Sequence, residues 1–275
     1  MTVASRIRRV IVQALRFGSS IIILYPLSIV VLGALKDKAG AARMDFSLPD
    51  QVVFLENLRT VIENANVGTG FRSSIIIAAG AVTGTLLVSG IAAFVLQRRN
   101  TRVSSAFVSL FLLGMIIPGN IIANFRIMMA LNLYGTLLAP ILLLVTGMIP
   151  LNLFLFHGYF KSLPRELDEA AYMEGCPVLT FYAKVMLPLA APMAATSAII
   201  VFLTSWNAFV MPLYFLTNPD LYTLPLSIYY FVGEYASDWN LVFTDILVVA
   251  APVLVVFLFL QRYIVAGLTG AAVKG

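Results

Sequence analysis

Apolar residues dominate this chain and form six long blocks that are separated by shorter polar segments. Each block has about the 20 residues that a helix needs to cross a bilayer. Because backbone amides find no water partner in hydrocarbon, we expect each block to be helical. The predicted spans are Phe17–Leu35, Ser73–Leu96, Ser104–Phe125, Leu137–Phe160, Leu189–Phe215 and Phe243–Arg262.

The composition supports a membrane protein. Of the 275 residues, 60% are hydrophobic and 11% are charged, and the mean hydropathy is +0.95. A soluble domain carries roughly 25% charged residues. The single cysteine, Cys176, excludes an intramolecular disulfide, and the single histidine, His157, offers no metal-binding cluster. We therefore predict an all-α integral membrane protein, with one transmembrane domain over residues 1–275 and no metal site.

Lysine and arginine are unequally distributed between the predicted loops. With the N-terminus inside, twelve of them lie in cytoplasmic segments and six in external ones. This asymmetry follows the positive-inside rule and predicts that both termini are cytoplasmic. The net charge of +5 is then explained by topology rather than by a nucleic-acid-binding face. The start of the chain also resembles a secretion signal, but its apolar block is longer than a signal core, and we expect an uncleaved first helix.

The inner segment between the fourth and fifth spans, residues 161–188, contains a cluster of acids. Its stretch ELDEAAYMEG starts at Glu166, shortly after Pro164, and acids in a first turn favour a helix N-terminus. Gly175 is a typical helix stop, and Pro177 cannot continue a helix. The pattern predicts a short helix, a glycine bend and a second short helix over about Pro177–Lys184. A solvated helix and a helix that docks on a partner both remain open from this pattern.

A resemblance to a known family bears on that choice. The spacing of Glu169-Ala170-Ala171, Gly175, Phe181 and Leu187-Pro188 resembles the cytoplasmic loop, often called the EAA loop, of binding-protein-dependent ABC importer permeases. Two positions depart from the family pattern, because Glu174 stands where Asp is usual and Cys176 where a small residue is usual. The ending Gln261–Gly275, with Ser205–Phe209 and Pro212–Phe215, is similar to carbohydrate permeases, in particular the maltose-type second permease subunit.

The resemblance implies the type I importer permease fold and a role as half of the channel of a sugar importer. It implies four kinds of partner: a second homologous permease chain, two cytoplasmic ATPase subunits, an external or periplasmic sugar-binding protein, and the lipid bilayer. ATP and magnesium would bind to the ATPase, since this chain lacks the phosphate-cradling G-x-x-x-x-G-K-[ST] motif. We therefore expect no cofactor on this chain, no enzymatic activity and a location in the cell membrane.

The same resemblance assigns two sets of contact residues. The residues expected to couple to the ATPase are Glu169, Ala170, Ala171, Glu174, Gly175, Leu187 and Pro188. A C-terminal tail, residues 263–275, is expected to reach toward the ATPase pair, and its contact residues are Ala271, Ala272, Val273, Lys274 and Gly275.

The substrate path and the cargo are less sharply defined. Polar groups at membrane depth are often functional, although they also link helices. The candidates are Asn120, Asn124, Trp206 and Asn207, with Asn152 as a further polar residue. We expect His157 to be structural and Asp245 to be a solvated acid at the outer mouth. A polyol phosphate or another small solute remains open as cargo; an ion-coupled transporter would need acids within the spans, and none is expected there.

Overall fold

The computed structural model describes the backbone of residues 3–99, 101–116, 119–232 and 237–272. In these ranges the only β-structure is an isolated bridge between Val232 and Ser237. A π-helical turn covers Tyr182–Met186, and 3₁₀ turns cover Pro219–Leu221 and Leu224–Tyr230. The α-helices are α1 (Val3–Leu35), α2 (Lys38–Ala41), α3 (Phe54–Asn64), α4 (Val67–Arg99), α5 (Arg102–Gly114), α6 (Ile121–Ala130), α7 (Leu138–Ser162), α8 (Glu166–Met173), α9 (Val178–Phe181), α10 (Leu187–Leu189), α11 (Ala191–Trp206), α12 (Val210–Phe215) and α13 (Trp239–Ala272).

Four of the described helices are long and apolar enough to cross a membrane: Leu15–Leu35, Val67–Arg99, Leu138–Ser162 and Trp239–Phe259. They correspond to the first, second, fourth and sixth predicted spans. A fifth span results if Val178–Leu189 and α11 are counted together, although the two are bent by 77°. The described residues therefore contain four to five candidate spans, compared with the six that the apolar blocks predict.

The third predicted span is wrong as a single helix. Helix α5 ends at Gly114, and α6 starts only after Asn120, whose side chain accepts hydrogen bonds from the amides of Ile122 and Ala123 at 2.9 and 3.2 Å. An asparagine cap of this kind satisfies the free amides of a new helix start. The fifth predicted span is also interrupted, because α11 ends at Trp206 and α12 is a separate short helix.

The backbone divides into two compact units. The first comprises Met1–Gly68 and Ser227–Pro252. One of its buried polar side chains is that of Asn57, whose amide nitrogen donates to the carbonyls of Ala34 and Lys36 at 3.0 Å each. The side chain of Asn240 donates to Asn57 Oδ1 at 2.7 Å. One asparagine thus links α1, α3 and α13 and satisfies carbonyls at the end of α1, which have no partner within that helix.

Asp245, also in the first unit, corrects an expectation. Its side chain is fully buried in α13, and both of its carboxylate oxygens lie within 2.9 Å of the Ser227 hydroxyl. The prediction of a solvated acid at the mouth of the span is wrong, and so is the expectation that no acid lies within one. Ser227 comes from the 3₁₀ turn Leu224–Tyr230, a segment that the apolar pattern of the span does not reveal.

The second unit comprises Thr69–Leu226 and Val253–Gly275. Its main core is aromatic: Phe94 of α4 packs edge-on against Phe160 of α7, with ring centroids 6.0 Å apart, and lies 5.2 Å from the ring of Tyr182. The Asn152 amide accepts a hydrogen bond from Ser197, which joins α7 to α11. This core fixes the ends of α4 and α7, on which the loop helix α8 sits.

Candidate functional site

Helix α8 forms where the acid-rich stretch predicts a helix. Glu166, Asp168 and Glu169 occupy its first turn, where negative charge offsets the partial positive charge of the free amides. The Arg165 carbonyl accepts hydrogen bonds from the amides of Asp168 and Glu169, at 2.9 and 3.2 Å. The predicted second short helix is also present, as α9 followed by the π-helical turn.

The bend after α8 is a Schellman motif centred on Gly175. This glycine has a φ of +65°, a left-handed conformation that it adopts without steric cost. The Gly175 amide donates to the carbonyl of Tyr172 at 3.0 Å, and the Cys176 amide donates to that of Ala171 at 2.9 Å. These two hydrogen bonds define the motif. A Cβ at Gly175 would meet open space, so the backbone conformation alone accounts for the glycine.

One face of α8 is held against the second unit's core. Arg98, near the end of α4, forms an ion pair with Asp168, with Nε 3.1 Å from Oδ1, and its side chain is only 12% exposed. Arg98 also donates a hydrogen bond to Met186 Sδ at 3.8 Å. Leu167 and Ala171 pack on the edge of the aromatic core. Charge pairing and apolar packing together fix the position of α8 relative to α4.

The other face of α8 is open. Tyr172 and Met173 are 85% and 84% exposed, and Ala170 is exposed beside them. Large apolar side chains that stay this exposed, rimmed by charged residues, are typical of protein interaction surfaces. Neither Tyr172 nor Met173 is among the predicted coupling residues, although two large apolar residues at the end of an acidic helix are a sequence signal for an exposed contact surface.

A groove of about 340 Å³ runs between α8, α9 and the end of α4. Arg98, Asp168 and Cys176 are among its lining residues. Arg98 Nη1 and Asp168 Oδ2 are buried, and neither has a hydrogen-bond partner among the described residues. Since buried polar groups are usually paired, this groove has unused hydrogen-bonding capacity directly beside α8.

The structure divides the predicted coupling residues between the two faces. Glu169, Ala170, Glu174 and Gly175 are exposed, whereas Ala171 is half-buried against the core. The two alanines therefore do not form one flat surface. Leu187 and Pro188 lie in α10, beyond the π-helical turn, and both are exposed.

The predicted tail is only partly described. Ala271 and Ala272 are the last two residues of α13. Val273, Lys274 and Gly275 lie outside the described residues.

Most of the predicted substrate-path residues have structural partners. Asn120 caps α6, as described above, and Asn207 Nδ2 donates to the Leu203 carbonyl at 2.8 Å. Trp206 is buried, stacked on Phe202 at 5.6 Å and edge-on to Phe71 at 5.7 Å. Asn207 nevertheless remains exposed at the end of α11, and Asn124 is half-buried one turn into α6. These two asparagines keep surface that a solute could reach.

Four to five apolar candidate spans and an anchored loop helix with an exposed face are typical of a multi-pass membrane protein. The family described as "Binding-protein-dependent transport system inner membrane component" matches residues 85–270, and this chain belongs to that family. It is therefore a multi-pass membrane permease. The permeases of this family are not enzymes, in agreement with the sequence-based prediction.

Individual relatives are also permeases. The chain is 33% identical over 259 residues to the "Multiple sugar-binding transport system permease protein MsmG" of Streptococcus mutans, covering 92% of this chain and 93% of the relative. It is 31% identical to the "Melibiose/raffinose/stachyose import permease protein MelC" of Bacillus subtilis, covering 91% of each.

The fold is that of a known importer. A chain in the crystal structure of a bacterial ABC transporter for the acidic polysaccharide alginate superposes with a TM-score of 0.84, at 21% identity, over 96% of this chain and 98% of that one. At this identity the likeness establishes the fold, which is that of a type I importer permease. The predicted family, the all-α class and the type I permease fold are thus confirmed, whereas six spans with cytoplasmic termini stay a prediction.

Proposed function

We propose that this chain is a permease subunit of an ATP-driven importer for sugars or oligosaccharides, and that it forms half of the channel. Relatives that cover more than nine-tenths of the chain carry names that specify sugar import. The similar C-terminal stretches around Ser205–Phe209 and Gln261–Gly275 support the same cargo class. Asn124 and Asn207 are the side chains that we propose to face the solute.

The proposed topology has six crossings with both termini in the cytoplasm. In this arrangement α5 and α6 make one interrupted crossing, and α11 and α12 make another. The twelve-to-six distribution of lysine and arginine supports this orientation. It places α8 and its groove on the cytoplasmic side.

The observation that carries the proposal is the two-faced character of α8. Its inner face is tied to α4 through Arg98 and Asp168, while Ala170, Tyr172 and Met173 remain exposed. A helix fixed to the membrane domain on one side and free on the other can pass a displacement from a docked subunit to the spans. We propose that one of two ATPase subunits, which bind ATP and magnesium, docks here through Glu169–Gly175 with Leu187-Pro188 alongside.

The remaining partners complete the assembly. A second homologous permease chain supplies the other half of the channel, and a sugar-binding protein delivers the solute from outside. The tail at residues 271–275 reaches the ATPase pair. ATP-driven closure shifts the permease pair between inward- and outward-facing states, which requires that docking energy differ between those states.

A matched pair of substitutions tests this function in the importer purified with its partner subunits. Ala170→Trp places a large side chain on the exposed face of α8, while Ala42→Trp makes the same change at an exposed alanine of a predicted external loop. We expect Ala170→Trp to abolish ATP-dependent oligosaccharide uptake into liposomes and co-purification of the ATPase. Ala42→Trp should preserve both.

Two results would count against the proposal. Normal uptake by Ala170→Trp would remove α8 as the docking site. Accumulation by this chain alone, driven by an ion gradient without an ATPase, would instead identify an ion-coupled transporter.

A further inference from the structure

A second cavity, of about 520 Å³, lies where α4 and α7 end and α5 begins. It is separate from the groove beside α8 in its lining residues. Gln97 of α4, Ser105 and Ser109 of α5, and His157 and Lys161 of α7 contribute to its wall. Leu96 and Val108 complete it with apolar surface. The cavity is therefore a polar chamber between the ends of membrane helices, at the depth of the lipid headgroups under the span assignment above.

The charged side chains that line this cavity are all cationic. Lys161 and Arg165 line it, and no carboxylate of the described residues contributes to its wall. Among the described residues, neither side chain takes part in an ion pair. The hydroxyls of Ser105 and Ser109, four residues apart on one face of α5, add neutral donors. Two cations and two hydroxyls in one wall match the oxygens of a phosphate group.

Gln97 gives the second, independent indication of a ligand. Its side chain is 7% exposed, and its Oε1 is buried without a hydrogen-bond partner among the described residues. An unpaired buried acceptor costs on the order of 1–3 kcal/mol unless a partner arrives. This acceptor would be satisfied by a hydroxyl next to the phosphate, as in a glycerol headgroup.

We propose that this cavity binds a phosphate-bearing anion, and that its source is the headgroup of an anionic phospholipid such as phosphatidylglycerol. Lys161 and Arg165 hold the phosphate, and Gln97 accepts a hydrogen bond from the headgroup glycerol. A lipid fits better than a free phosphate ester because Leu96 and Val108 add apolar wall beside the polar groups. Basic pockets between membrane helices are a recurrent way to bind anionic headgroups. The proposal requires only that these helices lie in a bilayer, and it is independent of the cargo.

The test is lipid titration of the delipidated full chain in detergent, followed by native mass spectrometry. We expect phosphatidylglycerol to bind and phosphatidylcholine not to bind. The double substitution Lys161→Gln with Arg165→Gln should weaken phosphatidylglycerol binding roughly 25-fold, about fivefold for each cation. The charge-matched control, Lys184→Gln with Arg102→Gln, removes two cations that do not line the cavity and should change binding less than about threefold, within the screened range of surface charge.

Gln97→Leu tests the hydroxyl contact by itself. It should reduce the preference for phosphatidylglycerol over phosphatidic acid, which has the phosphate without the glycerol hydroxyls. Melting of each variant without lipid establishes that it is folded before titration.

Three results decide the outcome. Unchanged binding by the Lys161 and Arg165 double variant would overturn the site. Equal losses in that variant and in the control would also overturn it, since general surface charge would then explain the attraction. If inorganic phosphate alone binds as tightly as phosphatidylglycerol, the phosphate chemistry is supported and the lipid source is overturned.

Discussion

Helices α8 and α13 each carry an aspartate that binds a partner within its own compact unit, but they use it in opposite ways. Asp168 of α8 is 30% exposed and pairs with the charged side chain of Arg98. Asp245 of α13 is fully buried and pairs with the neutral hydroxyl of Ser227. Water can reach Asp168 when the first contact opens, but the largely buried Arg98 then loses its carboxylate partner. The second would expose or strand a carboxylate when broken, so it is suited to a fixed contact.

The comparison separates a contact beside an exposed helix face from a contact that is fully enclosed. Around Asp168 the helix has an exposed face, and unpaired polar atoms lie in the groove beside it. Around Asp245 the neighbouring polar residues Thr244 and Asn240 are also buried, and Thr244 donates to the carbonyl of Asn240 at 2.7 Å. The two aspartates therefore differ in their exposure and in whether the partner side chain is charged.

The largest effect should come from changing the bend that ends α8. Gly175→Pro removes the amide that donates to Tyr172 and forbids the φ of +65°. We expect complete loss of ATP-dependent uptake by the assembled importer, with normal insertion of the chain into membranes. Gly175→Asn is the matched control, because asparagine tolerates the left-handed conformation better than other residues with a Cβ. It should keep most of the transport, and equal loss in both variants would contradict the role given to the backbone.

The next effect concerns stability and tests both aspartates. Asp245→Ala removes a buried hydrogen-bonded side chain and should lower the free energy of unfolding by about 2 kcal/mol. Asp168→Ala leaves the largely buried guanidinium of Arg98 without its carboxylate and should also cost about 1–3 kcal/mol. Thermal or denaturant unfolding of the purified chain in detergent measures both.

Hydrogen exchange of the backbone amides measures whether the loss of each aspartate acts locally. Asp168→Ala should speed exchange of the α8 amides while the rest of the second unit stays protected, because only α8 loses its tether. Faster exchange across the whole second unit in Asp168→Ala would remove the distinction between the two aspartates, because the loss would then not be local to α8.

Much of the loop was predictable from local signals. Pro164, the first-turn acids and Gly175 act within one or two turns of the chain, so the helix and its bend follow from short stretches of sequence. The break between α5 and α6 was not predicted, since the apolar pattern continues across it and the Asn120 cap depends on backbone geometry.

The partners of Asp245 and Arg98 could not be predicted from the sequence for a different reason. Arg98 meets Asp168 from 70 positions away, and Ser227 meets Asp245 across 18 positions. Contacts of this kind depend on how helices pack, which periodicity along one helix does not specify. Helix packing also decides the position of Trp206. Its polar neighbours in the sequence suggested a contact with the solute, but its indole packs between Phe71 and Phe202.

The smallest effect should come from an acid outside the spans. Lys36 is 3% exposed and donates to Asp45 Oδ1 at 2.8 Å, and this hydrogen bond together with that from Ser47 holds the Asp45 pKa well below its usual range. Because the Asp45 pKa is lower in the folded chain than in the unfolded chain, ionised Asp45 stabilises the fold at pH values above the ordinary aspartate pKa, near 3.8. This stabilisation is lost progressively as the pH falls below that value. Melting temperature measured from pH 6 down to about pH 3 should therefore fall more steeply in the wild type than in Asp45→Asn, in which no proton can bind at that position. Parallel curves would show that the Lys36 contact does not influence this titration.

The 77° angle between Val178–Leu189 and α11 has a mechanical consequence. If the two segments keep this angle, a rotation of Val178–Leu189 rotates α11 by the same amount. Helix α11 has 16 residues and is therefore about 24 Å long. Each degree of tilt moves its far end, at Trp206, sideways by about 0.4 Å, as the length of the helix dictates. A tilt of only a few degrees is thus enough to shift a bulky indole by more than 1 Å, on the order of a bond length.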